Sequence, residues 1–126
     1  MKVIIDKLRR ATDPRGLVFE PLDAAGLAGQ GNVHVVLTGP GHIRGNHFHT
    51  QGTEVTSVLG PAQVRYREDG EIHDHHIPAG EVWRFTFPPQ VVHAFRNTGD
   101  TTQVIVSFNT VPHDPANPDV TREVIL

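Results

Sequence analysis

GHIRGNHFHTQGTE (residues 41–54) places three histidines and one glutamate within fourteen residues. His47 and His49 stand as His-x-His. On a strand, residues i and i+2 share a face with Cα atoms roughly 6.5 Å apart, so both imidazoles can address one point. The stretch TQGT (50–53) reads as a tight turn that lets Glu54 open the next strand. A fourth candidate, His93, lies far along the chain in PPQVVHAFRN (88–97). Two imidazoles from one strand, a carboxylate from the next and an imidazole from a distant strand suit Zn, Fe, Mn or Ni. A His-x-His pair alone also arises by chance in a chain with nine histidines. The set of four is what carries the reading, and His42 flanks it without a role.

The rest of the chain reads as strands. Short runs rich in Val, Ile, Thr and Phe recur between Gly, Pro, Asn and Asp, with no long 3.6-residue period. The runs are KVIIDKL (2–8), LVFEPL (17–22), NVHVVLT (32–38), HIRGNHFH (42–49), EVTSVL (54–59), AQVRYRE (62–68), EIHDHHI (71–77), EVWRFTF (81–87), VVHAFRN (91–97), TQVIVSFN (102–109) and REVIL (122–126). Asp69-Gly70 between two alternating runs predicts a hairpin turn. Only PLDAAGLAG (21–29) can hold a helical turn. VPHDPANPDVT (111–121), with three prolines, predicts a loop without regular structure. Many short strands at regular spacing imply an all-β sandwich or small barrel.

Composition narrows the function classes. At 126 residues the chain is expected to form one domain, 1–126. Eleven Lys and Arg against fourteen Asp and Glu give a net charge of −3, which is no footprint for nucleic acid or an anionic membrane. No apolar run approaches the ~20 residues that span a bilayer. MKVIIDKLRR lacks the apolar core of a signal peptide. Cysteine is absent, which excludes disulfides and thiol chemistry. A cytoplasmic location is expected.

The histidine-bearing stretches carry a family resemblance. Gly41, five residues, His47-x-His49, four residues and Glu54 resemble the first cupin motif. Pro88 to Asn97, with His93 four residues before Asn97, resembles the second. The departures concern turns: Gly60 comes six residues after Glu54, and Gln90 stands where the second motif has glycine. The resemblance implies a single-domain cupin (RmlC-like) jelly-roll β-barrel.

Further stretches narrow it. DPRGLVFE (13–20) resembles the Asp-x-Arg-Gly-x-x-x-Glu of nucleotide-sugar cupins. IRGNHFH (43–49) and HDPANPDVTREVI (113–125) resemble segments of the C-terminal cupin epimerase domain of bifunctional capsular-polysaccharide UDP-sugar reductase/epimerases. IRGNHFH also resembles, more distantly, the dTDP-4-dehydrorhamnose 3,5-epimerases. The implied activity is C3 epimerisation of a nucleotide-linked 4-keto-6-deoxy sugar in polysaccharide biosynthesis. The implied cofactor is zinc on His47, His49, Glu54 and His93, with a separate reductase domain acting next. The family is commonly dimeric, and apolar strands at both ends of the chain have edges that need covering, so a homodimer is expected. In the rhamnose-type enzymes the residue matching His47 is the base and no metal is used. His47 is therefore a ligand or, without metal, the base.

Epimerisation beside a ketone needs a base, a group that holds charge on the oxygen and an acid. With His47 on a metal, Tyr66 is the candidate proton shuttle. His73 and His75 share one face of HDHH (73–76), with His76 on the other, and His34 and His113 are looser candidates. A diphosphate calls for arginine. Arg44, supported by the resemblance, Arg15 and Arg65 are the candidates. Arg44 has opposite parity to His47 and His49, so it needs a bulge, which Gly45 permits. Arg84 and Arg96 read as surface ion-pair residues. Trp83, Phe85, Phe87 and Phe95 read as core or interface. The competing readings are a metal-dependent cupin oxygenase, which would use the same four ligands, and a non-catalytic sugar-binding barrel.

Overall fold

Period-two alternation along most of the chain dictates strands with one face buried, and two such sheets must cover each other. The computed structural model describes residues 2–126. Its strands are β1 (Ile4–Lys7), β2 (Ala11–Asp13), β3 (Gly16–Val18), β4 (Asn32–Thr38), β5 (Ile43–His49), β6 (Glu54–Leu59), β7 (Ala62–Glu68), β8 (Glu71–Ile77), β9 (Val82–Phe87), β10 (His93–Asn97), β11 (Gln103–Asn109) and β12 (Val120–Arg122). One five-stranded sheet runs β1-β9-β6-β11-β4 and the other β12-β5-β10-β7-β8, while β2 and β3 form a separate hairpin. All the pairings are antiparallel. This is the expected jelly-roll barrel. Between the sheets lie Val58, Val64, Tyr66, Ile77, Phe85, Phe87, Phe95 and Ile105, all buried.

Local chemistry fixes the connections. Asp69 and Gly70 both have positive φ (52° and 77°), as a two-residue hairpin turn of this hand requires, and they join β7 to β8. Asp23 caps the short helix α1 (Ala24–Ala28) by accepting from the Gly26 amide at 2.7 Å.

Strand β5 is bulged where the sequence permits it. His47 pairs with His93, but Gly45 pairs with Ala94, so Asn46 is an extra residue. Gly45 (φ 88°) and Asn46 (φ 56°) are both left-handed. Such a bulge shifts the side-chain alternation on its N-terminal side.

The C-terminus differs from the sequence expectation. The last strand is Val120–Arg122, overlapping the Pro-rich segment, and REVIL continues as a tail rather than a strand beyond Arg122. The reason is Asn46. Its carbonyl accepts from the Glu123 amide at 2.8 Å, and its Oδ1 accepts from the Ile125 and Leu126 amides at 2.9 and 3.1 Å. One bulge residue thus takes backbone donors that a ladder would otherwise use. The short, exposed strand β2 was not expected either.

The edges of the two sheets differ. Near β1 and β8, the Val3 amide donates to Glu68 Oε2 at 2.5 Å, linking the ends of the two sheets. At β4 and β12 two cavities lie between the sheets. No helix among the described residues is long and apolar enough to cross a membrane.

The bulge generates a test. A Cβ on Gly45 would lie 2.9 Å from the His93 carbonyl oxygen, at a φ that L-residues rarely adopt. Gly45→Ala should destabilise the protein by about 1–3 kcal/mol in urea denaturation. An unchanged midpoint would show that the bulge is not fixed by this residue.

Candidate functional site

The pleat of β5 turns His47 and His49 inward, and pairing brings β10 beside it with His93 opposite His47. Glu54 opens β6 in the facing sheet. One nitrogen from each histidine and one Glu54 oxygen all lie within 4.8 Å of one another. The Nε2 atoms of His47, His49 and His93 and Oε2 of Glu54 are buried and have no hydrogen-bond partner. His93 Nε2 touches Glu54 Oε2 without hydrogen-bond geometry.

Neighbouring groups hold these side chains in place. His93 is fully buried, its ring stacked on Phe87 at 4.1 Å, and its Nδ1 lies 2.9 Å from the Val91 carbonyl. A proton on Nδ1 leaves the Nε2 lone pair facing the cluster. Glu54 Oε1 accepts from Ser107 Oγ at 3.1 Å, and Ser107 is bonded in turn to Thr56 at 2.7 Å. His49 Nε2 lies 3.6 Å from Glu54 Oε1, and its Nδ1 lies 3.9 Å from Asp119 Oδ2.

The electrostatics follow from burial and proximity. Burial, with the neighbouring His93, pushes His47 down to about 4, against an ordinary value of 6.5. Burial also acts to lower His49, but the nearby Glu54 carboxylate, with Asp119, outweighs it and raises the pKa. Burial acts to raise Glu54, yet His93 and His49 hold its carboxyl well below the usual range. A carboxylate and three imidazole nitrogens are a donor set that a divalent cation takes. The four orphaned atoms fit such an ion, and these residues could hold one.

Two cavities open onto this cluster. One, of about 400 Å³, is lined by His47 and Glu54 at its base, by His34 from β4, and by Arg44 and Arg122. The other, of about 360 Å³, is lined by His49, His34, His113 and the Pro-rich segment up to Val120. Arg44 thus reaches the site through the bulge, despite its parity. Arg122 pairs with His47 from the neighbouring strand. Sequence reasoning missed Arg122 because nothing in a three-residue, exposed strand reveals its register.

Other expected residues are placed elsewhere. Tyr66 faces inward, as alternation predicts, but it is buried in the core cluster and lines neither cavity. It stacks on His73 and His75 at 5.0 and 5.6 Å, and its hydroxyl lies 3.4 Å from His75 Nε2. Arg65 is paired with Asp74 at 2.8 Å and donates to the Ile125 carbonyl at 3.0 Å. Arg15 is exposed in the β2–β3 turn and paired with Asp13. The structure brings neither Arg65 nor Arg15 to the cluster.

Comparison with known proteins adds the family. The model of the polysaccharide biosynthesis C-terminal domain matches residues 11–121. The chain belongs to this family. The spore coat polysaccharide biosynthesis protein SpsL of Bacillus subtilis (strain 168) is 28% identical over 130 residues, covering 95% of this chain and 86% of SpsL. The capsular polysaccharide assembling protein CapF of Staphylococcus aureus superposes with a TM-score of 0.69 at 26% identity, over 94% of this chain. The chain spans 33% of CapF's length. A dTDP sugar isomerase from Desulfovibrio desulfuricans G20 gives a TM-score of 0.74 at 20% identity, covering 97% of this chain and 83% of that one. The chain thus shares its barrel fold with CapF and the dTDP sugar isomerase.

The depressed His47 pKa sets a pH dependence for the metal-free protein. Between pH 6.5 and about 4 the unfolded chain binds a proton at this residue that the folded chain does not, so stability falls as pH falls. His47→Gln should make that decline shallower when urea midpoints are compared at pH 6.5 and 4.5. Equal declines would remove His47 as the cause.

Proposed function

We propose that this domain is a metal-dependent isomerase or epimerase acting on a nucleotide-linked 4-keto-6-deoxy sugar in polysaccharide biosynthesis. The observation that carries the reading is the junction of two features. Four orphaned ligand atoms cluster together, and two of the residues that carry them, His47 and Glu54, line the same cavity as Arg44 and Arg122. Neither arginine has an ion-pair partner among the described residues. The first feature suits a divalent metal, zinc foremost, with Fe, Mn or Ni taking the same donors. The second suits a diphosphate. The polysaccharide family and the dTDP sugar isomerase, which shares this fold, support the substrate class.

When bound, the ion supplies Lewis acidity that polarises the ketone oxygen and stabilises the charge that develops there. The chain's own residues do the rest. Arg44 and Arg122 hold the diphosphate and set how far the sugar enters. His34 stands on β4, lines both cavities and makes none of the hydrogen bonds seen around the four ligands. It takes the proton from the carbon beside the ketone as the C–H electron pair moves toward the carbonyl. His113, which lines the adjoining cavity, returns a proton in this reading. Tyr66, the shuttle expected from the sequence, acts in this reading as packing for the barrel.

An oxygenase would use the same four ligands but has no need of two free guanidinium groups beside them. A single domain over residues 1–126 and a cytoplasmic location are part of the same proposal.

The test is solvent exchange. The metal-loaded protein should introduce deuterium from D2O beside the ketone of a dTDP- or UDP-linked 4-keto-6-deoxyglucose. His34→Gln should slow this roughly 10²–10⁴-fold. Binding without exchange for either nucleotide would support a non-catalytic barrel instead.

We also propose a homodimer. The outer face of edge strand β4 presents Val33, Val35 and Leu37, each 55% to 61% exposed, on a strand paired only on one side. Such an edge is normally covered. Light scattering should give the mass of a dimer, and Val35→Lys should lower it. A monomer mass for the unaltered protein at micromolar concentration would contradict this.

A further inference from the structure

Asp119 has no role in the site so far, yet its carboxylate is held more firmly than most near-surface groups. Oδ1 accepts from Thr50 Oγ1 and from the Gln51 amide at 3.0 Å, and Oδ2 accepts from the Gly52 amide at 2.8 Å. These three donors immediately follow His49 and form the turn that leads to Glu54. The same Oδ2 lies 3.9 Å from His49 Nδ1, on the opposite side of the ring from the cluster. Both side chains are largely buried, at 15% and 16% exposure. Two other members of the cluster are braced in the same way, His93 by the Val91 carbonyl and Glu54 by Ser107. Residue 120, next to Asp119, pairs with His49 across β12 and β5, so the carboxylate is delivered by the C-terminal strand.

We infer that Asp119 is the positioning residue for His49. Its charge keeps the imidazole protonated at Nδ1, with the Nε2 lone pair on the ion, and ties that geometry to the docking of β12. The inference rests on the metal reading of the four-residue cluster. At 3.9 Å the contact is too long for a hydrogen bond, so it acts through charge on the orientation and tautomer of the ring. A carboxylate behind a ligating imidazole also stabilises the positive charge that the ring gains on binding a cation.

The two roles separate by experiment. Asp119→Asn retains an acceptor for Thr50 and Gln51 but removes the charge beside Nδ1 and the acceptor of the Gly52 amide. Thr50→Val loosens the same turn and leaves the charge. Zinc affinity is measured by competition with a chromophoric chelator, and urea midpoints of the metal-free proteins are measured alongside. The expected result is a roughly 10–100-fold weaker affinity for D119N, with T50V close to the unaltered protein. Equal affinity for D119N and the unaltered protein would overturn the inference, as would equal losses in D119N and T50V. If the unaltered protein binds no zinc, the metal reading itself fails, and that outcome is distinct from both. A second measurement needs no variant. The 15N shifts of His49 in the zinc-loaded protein should show a protonated Nδ1 and a ligated Nε2, and the reverse tautomer would overturn the assignment.

Discussion

The structure turns on four buried polar atoms that meet at one point without a partner: three imidazole nitrogens and one carboxylate oxygen. A buried polar group left unsatisfied costs about 1–3 kcal/mol, and more when charged. Whole domains of this size are stable by only about 5–15 kcal/mol. A divalent cation held by the four atoms would offset all of these costs at once. Ser107, Thr56, the Val91 carbonyl and Asp119 hold these side chains where such an ion would need them.

The barrel supplies this arrangement from elements far apart in sequence. His47 and His49 come from one strand by simple alternation, Glu54 comes from the facing sheet, and His93 arrives by the pairing of β10 with β5. The bulge at Asn46 does two further things. It brings Arg44 to the cavity lined by His47 and Glu54, and it captures the C-terminal tail through the Asn46 side chain. The tail follows β12, which brings Arg122 beside His47 and Asp119 beside His49. One irregular residue therefore links the mouth of the site to the end of the chain.

Legibility in the sequence tracked the range of the interaction. Strands with strict alternation, such as NVHVVLT and AQVRYRE, match their observed limits, because the period is a local property. The four clustered residues were legible because each sits at a motif position. Arg44 was legible with its difficulty, since Gly45 signals the bulge that resolves it. Arg122 and Asp119 were not, because a short exposed strand carries no pattern that sets its register. Tyr66 shows the limit of parity: it faces inward as expected, but it packs against Phe87, His73 and His75 and lines neither cavity. Arg65 sits one residue away on the opposite face, where Asp74 takes it.

The proposed chemistry depends on a metal held by His47, His49, Glu54 and His93. The most direct measurement is elemental analysis of protein purified without a histidine tag or added metal, beside a His49→Ala variant. A metal site there should give close to one equivalent of zinc, iron, manganese or nickel per chain, lost in the variant. No metal in either protein would contradict it and would return His47 to the role of base in a metal-free epimerase.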